Sequence, residues 1–435
     1  MINIYLKQAW ELLKQNKLFS LLYIVGTGLA IAVTMIMAVV YYVKIAPVYP
    51  EVNRMNTLYL SSSRFVKIED NDVSQGYVSY KALQDWFYPV KNAVAVSARL
   101  ASWGSNYIQP ADLSGDFPVM IKLTDPDFFQ IYPFQLLEGK IFTASDLESG
   151  IKTVVITDEL ARRLYGTTAG VIGRPLSLDY RSYRVCGVIR GGSYLTPQSY
   201  AQVHLPYSVD ADYKDIGGDL PYLGDFEVTF LVKDSKQADA LREEIKDIVR
   251  RENLIHTGEW QVGFWEQPIS HLFKVFKPSV FRDFNVWDTV RMFLLVLTVL
   301  LMVPALNLSG MIASRMESRL SEMAVRKSFG AGKTVLLSQI LWENLLLTLL
   351  GGLLGLILAW SVLYMNREWV FYVLDQWHNG VPKGATASVS GEMLFAPMVF
   401  LAALLLCVIL NLLSALIPTW HSLRKPIVNA LNEKR

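Results

Sequence analysis

Four stretches of this sequence are apolar over lengths that only a lipid bilayer demands, and nothing else in the chain restricts its fold so strongly. A spanning helix needs about 20 such residues, and 18–43, 289–314, 335–365 and 393–418 each provide them. Within them, Leu18–Val43, Met292–Ala313, Leu345–Met365 and Met393–Pro418 contain no charged side chain. A bilayer offers no water to backbone N–H and C=O groups, so each stretch must be helical. A hydrophobic content of 52% excludes a wholly soluble chain. The first stretch exceeds the apolar region of a cleaved signal peptide, about 7–15 residues, and Tyr41–Lys44 has no small-residue cleavage pattern. It reads as a retained anchor.

Lys and Arg in short flanks orient the spans, because cytoplasmic loops collect them. Lys7, Lys14 and Lys17 precede the first span, and Arg315, Arg319, Arg326, Lys327 and Lys333 fill segment 315–334. Arg424, Lys425, Lys434 and Arg435 follow the fourth, whereas the loop 366–392 has only Arg367 and Lys383. Both termini, the tail 419–435 and segment 315–334 are therefore expected in the cytoplasm, with 44–288 exported. Lys274, Lys277, Arg282 and Arg291 pull the other way, but a long domain crosses largely regardless of charge. Ile2, Leu6, Ala9, Trp10 and Leu13 recur at helical spacing, which predicts an amphipathic helix over 1–17 lying on the inner leaflet.

Residues 44–288 mix strand and helix signals. Asp225–Val232 alternates like a half-buried strand, and Lys236–Arg251 places Ala240, Leu241, Ile245 and Val249 on one helical face. Thr57–Leu60 reads as a strand and Ser79–Trp86 as a helix. In a middle insert, Thr153–Ile156 and Tyr183–Ile189 read as strands. Between them, Asp158–Gly166 reads as a helix capped by Thr157 and stopped by Gly166. Cys186 lies in this domain and Cys407 in the fourth span, so they cannot pair within one chain. The domain must be held by its core, which its length permits.

No catalytic or metal-binding constellation appears. His204, His256, His271, His378 and His421 are scattered, without H-E-x-x-H or G-x-S-x-G spacing. Phe329–Thr334 contains Gly-Lys-Thr, but a P-loop needs a glycine where Lys327 stands and a strand feeding the loop. No enzyme activity, cofactor, metal or nucleic acid is therefore expected of this chain. The segment reads as a mechanical element: Ser318–Lys327 a short helix, Gly330 and Gly332 a turn, Thr334 the start of the third span. Glu343, ionisable at the membrane edge, is a candidate functional residue, or else a snorkelling one. Gly351, Gly352 and Gly355 permit close helix approach, between two copies or within one chain. Gly26, Gly28 and Pro304 mark candidate kinks.

Several runs then match a family in order and spacing. Asp125-Pro-Asp-Phe-Phe-Gln-Ile-Tyr132, Leu137-Glu-Gly-Lys-Ile-Phe142, Ile156–Gly166, Val171-Ile-Gly-Arg-Pro-Leu176 and Tyr183–Val188 resemble the periplasmic core domain of MacB-type ABC transporter permeases. Arg319–Gly355, with Glu322, Arg326, Gly330, Glu343 and the glycine cluster, resembles the family's FtsX-like membrane domain. Ile417–Leu431 resembles its C-terminal signature, so that nearly the whole chain is covered.

The resemblance implies an α-helical membrane protein of the bacterial inner membrane with four transmembrane helices. A large α+β, two-lobed (Porter/Sabre-like) periplasmic domain is implied between helices 1 and 2, with the Sabre-like lobe at about 126–222. MacB itself carries a fused nucleotide-binding domain, which this sequence lacks, and there is one FtsX-like unit. The expected partners are a separate ABC ATPase holding ATP and Mg, and a second permease chain, identical or paralogous. A periplasmic adaptor and an outer-membrane channel are candidates beyond these.

Coupling to the ATPase falls by resemblance to Glu322, Met323, Arg326, Lys327, Phe329 and Gly330, although the cations also serve topology and anionic lipid. The implied function is mechanotransmission, in which the ATPase pushes this segment and the exported lobes open and close to export or extract a substrate. The alternative is an FtsX-like signalling subunit that relays ATPase state to a periplasmic hydrolase or sensor without transport.

Overall fold

A computed structural model describes residues 14, 17–69, 71–101, 106–110, 115–214, 222–276, 287–288, 290–291, 294–295, 298, 310, 320–366, 369–370 and 397–424. The chain divides into a helical unit, Met1–Tyr42 with Val290–Leu374 and Gly391–Arg435, and a domain unit, Val43–Thr289 with Asp375–Ser390. Among the described residues, α-helices of four residues or more are α1 (Lys17–Ile45), α2 (Phe128–Ile131), α3 (Ala144–Ser149), α4 (Asp158–Tyr165) and α5 (Ser235–Ile255). Then follow α6 (His271–Phe276), α7 (Leu320–Ser328), α8 (Lys333–Met365) and α9 (Pro397–Arg424).

Among the described residues, three helical segments are long and apolar enough to cross a membrane: Ser20–Ile45, Lys333–Met365 and Pro397–Leu416. The expected second span, 289–314, lies outside the described residues except at isolated positions. So do nearly all of 1–17, most of the loop 366–392, and the tail beyond Arg424. Small residues set the packing. A Cβ on Gly355 would stand 2.7 Å from Gly28 O, and one on Gly351 would stand 3.0 Å from Thr27 Cβ. A Cβ on Gly352 would meet Leu404 Cδ1 at 2.5 Å. The three glycines therefore seat α8 against α1 and α9 of the same chain, where lipid supplies no hydrophobic drive and close contact has to hold the helices. Asn411 adds a hydrogen bond from α9 to Thr348 of α8.

In the domain unit, sixteen strands among the described residues form one mixed sheet. The first group is β1 (Thr57–Leu60), β2 (Ser63–Lys67), β3 (Val73–Val78) and β4 (Ala95–Leu100). The insert supplies β5 (Asn106–Gln109), β6 (Phe117–Val119), β7 (Ile121–Thr124), β8 (Leu136–Gly139), β9 (Thr153–Thr157), β10 (Pro175–Leu178), β11 (Arg181–Ile189) and β12 (Val203–Pro206). The chain returns through β13 (Leu223–Gly224), β14 (Phe226–Leu231), β15 (Trp260–Gly263) and β16 (Ile269–Ser270).

Strand β14 alternates as its sequence predicts, burying Phe226, Val228 and Phe230. Helix α5 corrects its predicted face: Ala238, Leu241 and Ile245 are buried and Ala240 is exposed. The three buried residues share one helical face by their i, i+3, i+7 spacing, from which Ala240 is turned by about 100°.

The insert does not form a separate body. The sheet runs without a break along β14-β4-β7-β12-β9-β11. One core joins Leu58 and Phe87 to Ile156, Leu160 and Val188. The insert's sheet also begins earlier than residue 126, because β5 pairs with β10 and β6 with β5. Two of the recognised motifs meet at one tight crossing. A Cβ on Gly139 (φ +76°) would lie 2.3 Å from Cys186 O, and one on Gly187 would lie 2.4 Å from Lys140 O. Only glycine permits that approach.

Gly355→Ala should force α8 away from α1 and destabilise the helical unit by about 1–3 kcal/mol, the usual cost of overpacking. Leu353→Ala, on an exposed position of the same helix, should cost less. Thermal unfolding of the two purified variants in detergent checks the order.

Candidate functional site

Segment 320–333 is a helix–turn–helix corner. Helix α7 ends with Gly330 N–H donating to Lys327 O and Ala331 N–H to Arg326 O, while Gly330 adopts φ +91°. This paired bonding with a left-handed glycine is the Schellman stop, and it fixes the angle at which α8 begins. Met323 and Ala324 are buried with Tyr23, Leu336 and Ile340. Met323 therefore anchors the corner from within and is not part of an exposed docking face, as its inclusion among the coupling residues had implied. Helical periodicity turns Val325 and Phe329 outward, and Phe329 is 87% exposed.

Arg326 reaches back to Gln339 Oε1 at 2.7 Å, tying α7 to α8. Lys327 stands beside the turn, its ammonium pKa lowered by desolvation and by Lys333. Glu322 lies in α7, with its side chain outside the described residues. Gly332 and Lys333 open α8 directly after this helix and turn. The Gly-Lys-Thr run thus lacks the strand a phosphate loop requires. Glu343 is buried on the face of α8 that also buries Gln339, Ile340, Asn344 and Leu347.

A second constellation escaped the sequence. Glu51 and Arg54 are almost wholly buried, at 0% and 1% exposure, and form an ion pair at 2.8 Å. Arg54 Nη1 donates to Val43 O (2.6 Å) and Ala46 O (2.7 Å), and Nη2 to Leu195 O (3.3 Å). Glu51 Oε1 accepts from Ser199 N (2.8 Å) and Ser199 Oγ (3.0 Å). His271, at the head of α6, donates from Nε2 to Lys44 O (2.9 Å) and accepts at Nδ1 from Tyr59 OH (3.2 Å). Burial, with Arg54 adding to it, lowers the His271 pKa to about 4, and a neutral ring donating from Nε2 accepts at Nδ1. Lys274 donates to Ser61 Oγ and lies over the Tyr59 ring. Nothing local marks Glu51 and Arg54: a charged pair three residues apart in a short stretch reads as solvated surface.

The first recognised motif has a physical reason too. Asp125 accepts from Ala98 N (2.7 Å), Ser97 Oγ (2.7 Å), Tyr88 OH (3.0 Å) and Phe128 N (3.2 Å). It ties β4 to the turn after β7. Burial raises its pKa to about 7 against the pull of those donors. His204, buried beside Phe128, Phe129 and Phe134, is held neutral by burial, its pKa lowered to about 3. Among the described residues, no group of His, Cys, Asp and Glu could hold a metal ion.

Comparison with known proteins places these features. A family model described as MacB-like periplasmic core domain matches residues 20–248, and one described as FtsX-like permease C-terminal matches 292–427. The macrolide export ATP-binding/permease protein MacB of Salmonella paratyphi A is 24% identical over 392 residues, 88% of this chain and 55% of that protein. MacB of Escherichia coli K12 is 23% identical over 435 residues, 99% of this chain and 60% of that protein. The pyoverdine export ATP-binding/permease protein PvdT of Pseudomonas savastanoi is 22% identical over 238 residues, 54% of this chain and 34% of that protein.

The chain thus spans little more than half the length of the MacB relatives. Among solved structures, the periplasmic region of MacB from Actinobacillus actinomycetemcomitans aligns with TM-score 0.30 and 15% identity, covering 48% of this chain and 89% of that one. The extracellular domain of the transporter YknZ from Gram-positive bacteria aligns with TM-score 0.29 and 16% identity, covering 47% and 100%.

The buried histidines make stability depend on pH. Unfolded imidazole titrates near 6.5, and His271 does so at about 4 in the fold. Between those values the unfolded chain holds more protons, so His271 makes the fold lose stability as pH falls through that window. Its share is about 3 kcal/mol. His204 has the same sign, whereas Asp125, raised to about 7 in the fold, has the opposite one between about pH 7 and 4. The clean quantity is therefore a difference. Between pH 6.5 and 4, the unfolding temperature of His271→Gln should fall less steeply than that of the unsubstituted chain. Parallel slopes would mean that His271 is not held neutral.

Proposed function

The chain belongs to the family of MacB-like ABC transporter permeases, and from that premise we propose that it couples ATP hydrolysis on a partner ATPase to motion of its exported domain. The partner holds ATP and Mg, and this chain contributes no catalysis. A second permease chain completes the assembly in the bacterial inner membrane, with both termini and segment 320–333 on the cytoplasmic side. The observation that carries this reading is the corner itself. Phe329 projects from a turn whose angle is set by Schellman bonds, on a helix whose other face is buried. A large exposed aromatic beside cations, mounted on a rigid support, is the kind of residue that dominates binding at an interface. Relatives named for macrolide and pyoverdine export favour export over signalling, with the substrate handled by the exported domain.

Replacing Phe329 with Asp should abolish ATPase docking without unfolding the chain, because the position is exposed here and lies in an apolar contact only in the complex. An unpaired carboxylate buried there costs several kcal/mol, and each 1.4 kcal/mol is tenfold in affinity. Pull-down of the ATPase by Phe329→Asp should therefore fall at least tenfold at equal abundance in the membrane. Equal recovery would move docking to the residues after Trp420 or to the N-terminal amphipathic helix.

A further inference from the structure

A helix leaves its last four carbonyls without intrahelical partners. Two side chains of the domain unit, Arg54 and His271, take up two of those groups at the end of α1 and the carbonyl of Ala46 just beyond it. Val43 O and Ala46 O are held by Arg54, and Lys44 O by His271. Both donors are buried, and each is gripped from behind. Glu51 and Leu195 O hold Arg54, and Tyr59 of β1 holds His271.

The strap 46–56 is seated in the insert along its length. Tyr49 OH donates to Arg190 O (2.8 Å) and accepts from Gln135 N (3.0 Å). Asn53 Nδ2 donates to Ile131 O (2.8 Å). A Cβ on Gly192 would stand 3.0 Å from Pro50 Cδ, so strap and loop 191–200 are in direct contact.

A buried ion pair is poor support for stability, because desolvation offsets most of its attraction. Its value lies in what it fixes. Arg54 presents a planar fork of donors and spends them on acceptors from two separate chain segments as well as on Glu51. Glu51 carries the same connection on to Ser199. The helix exit, the loop 191–200 and the head of α6 therefore share one polar junction.

We propose that Arg54, with Glu51 and His271, is a positioning clasp that makes the exit of α1, the insert loop 191–200 and the head of α6 a single moving part. A displacement carried by α1 reaches β1 through His271 and Tyr59, and reaches the insert through Arg54 and Glu51. Without the clasp the helix end could slip within the strap, and the motion would stop there. This inference rests on the coupling function proposed above and names the residues that deliver it.

The test measures amide hydrogen exchange in the full chain, held with its ATPase in native membranes, with and without ATP and vanadate. In the unsubstituted complex, nucleotide should change exchange both in 320–333 and in 46–56 with 191–200. In Glu51→Gln/Arg54→Gln, which removes both buried charges together, the change in 320–333 should persist and the change in 191–200 should be lost. Arg54→Lys keeps the charge but offers one ammonium to four acceptors, and should lose the same response. His271→Gln retains a donor for Lys44 O and should preserve it, whereas His271→Leu should not. A nucleotide response at 191–200 that survives in both Arg54 variants overturns the clasp. No response anywhere in the unsubstituted complex would instead overturn the coupling function on which it rests.

Discussion

The end of α1 is held by buried side chains. In lipid a helix satisfies its own backbone, but on leaving it must pass its terminal carbonyls to other donors. Water would serve on an exposed exit. Here Val43, Lys44 and Ala46 present their carbonyls to Arg54 and His271 instead. A guanidinium at a helix C-terminus also meets the negative end of the helix dipole. Glu51 then becomes necessary, because an unpaired buried cation would be far more costly than the pair. Burial keeps His271 neutral, and with Nε2 donating to Lys44 O, Nδ1 is left to accept from Tyr59. One requirement of backbone chemistry thus explains the burial of a glutamate, an arginine and a histidine that no catalytic argument calls for.

The corner at 320–333 solves a related problem by other means. Its turn uses backbone bonds and a left-handed glycine, so no side chain is committed to holding its shape. Met323 faces inward to Tyr23 and Ile340, and Phe329 faces outward. Fixed support on one face and an exposed aromatic on the other are what a segment needs if it is pushed and must not fold away. Glu343 lies further along α8 with Gln339 and Asn344 on the same buried face. Polar side chains inside a helical bundle fix the pairing of helices more than they add to its stability.

What the sequence disclosed was local. Thr157 and Gly166 bound α4 because an N-cap hydroxyl and a left-handed stop are short-range requirements, and both are met. The alternation of β14 announced its buried face. Gly330 was legible as a turn for the same reason. The motifs around Asp125, Gly139 and Gly187 were recognisable as patterns, but their cause lies between segments. Asp125 needs donors from β4, and Gly139 needs the carbonyl of Cys186. Glu51 and Arg54 stayed hidden because their partners are up to 148 residues away. Ala240 was misplaced by a small rotation of a helical face, which periodicity alone does not fix to within one residue.

The way the insert joins the sheet bears on how such a domain can move. Between the strands that flank the insert and the insert itself, the direct ladder is short, with Arg99 opposite Thr124 and Leu100 opposite Leu123. Asp125 reinforces it at once, accepting from Ala98 N and Ser97 on the β4 side. Thr124 Oγ1 donates to Ala98 O beside it. Parting the two halves there would leave a buried carboxylate and two strand edges without partners, each a cost of about 1–3 kcal/mol per polar group. The shared core on either side would part as well. Separation at that seam would therefore break buried polar contacts as well as the shared core. Strands β14, β4, β7 and β12 are instead joined in one continuous sheet over a shared core.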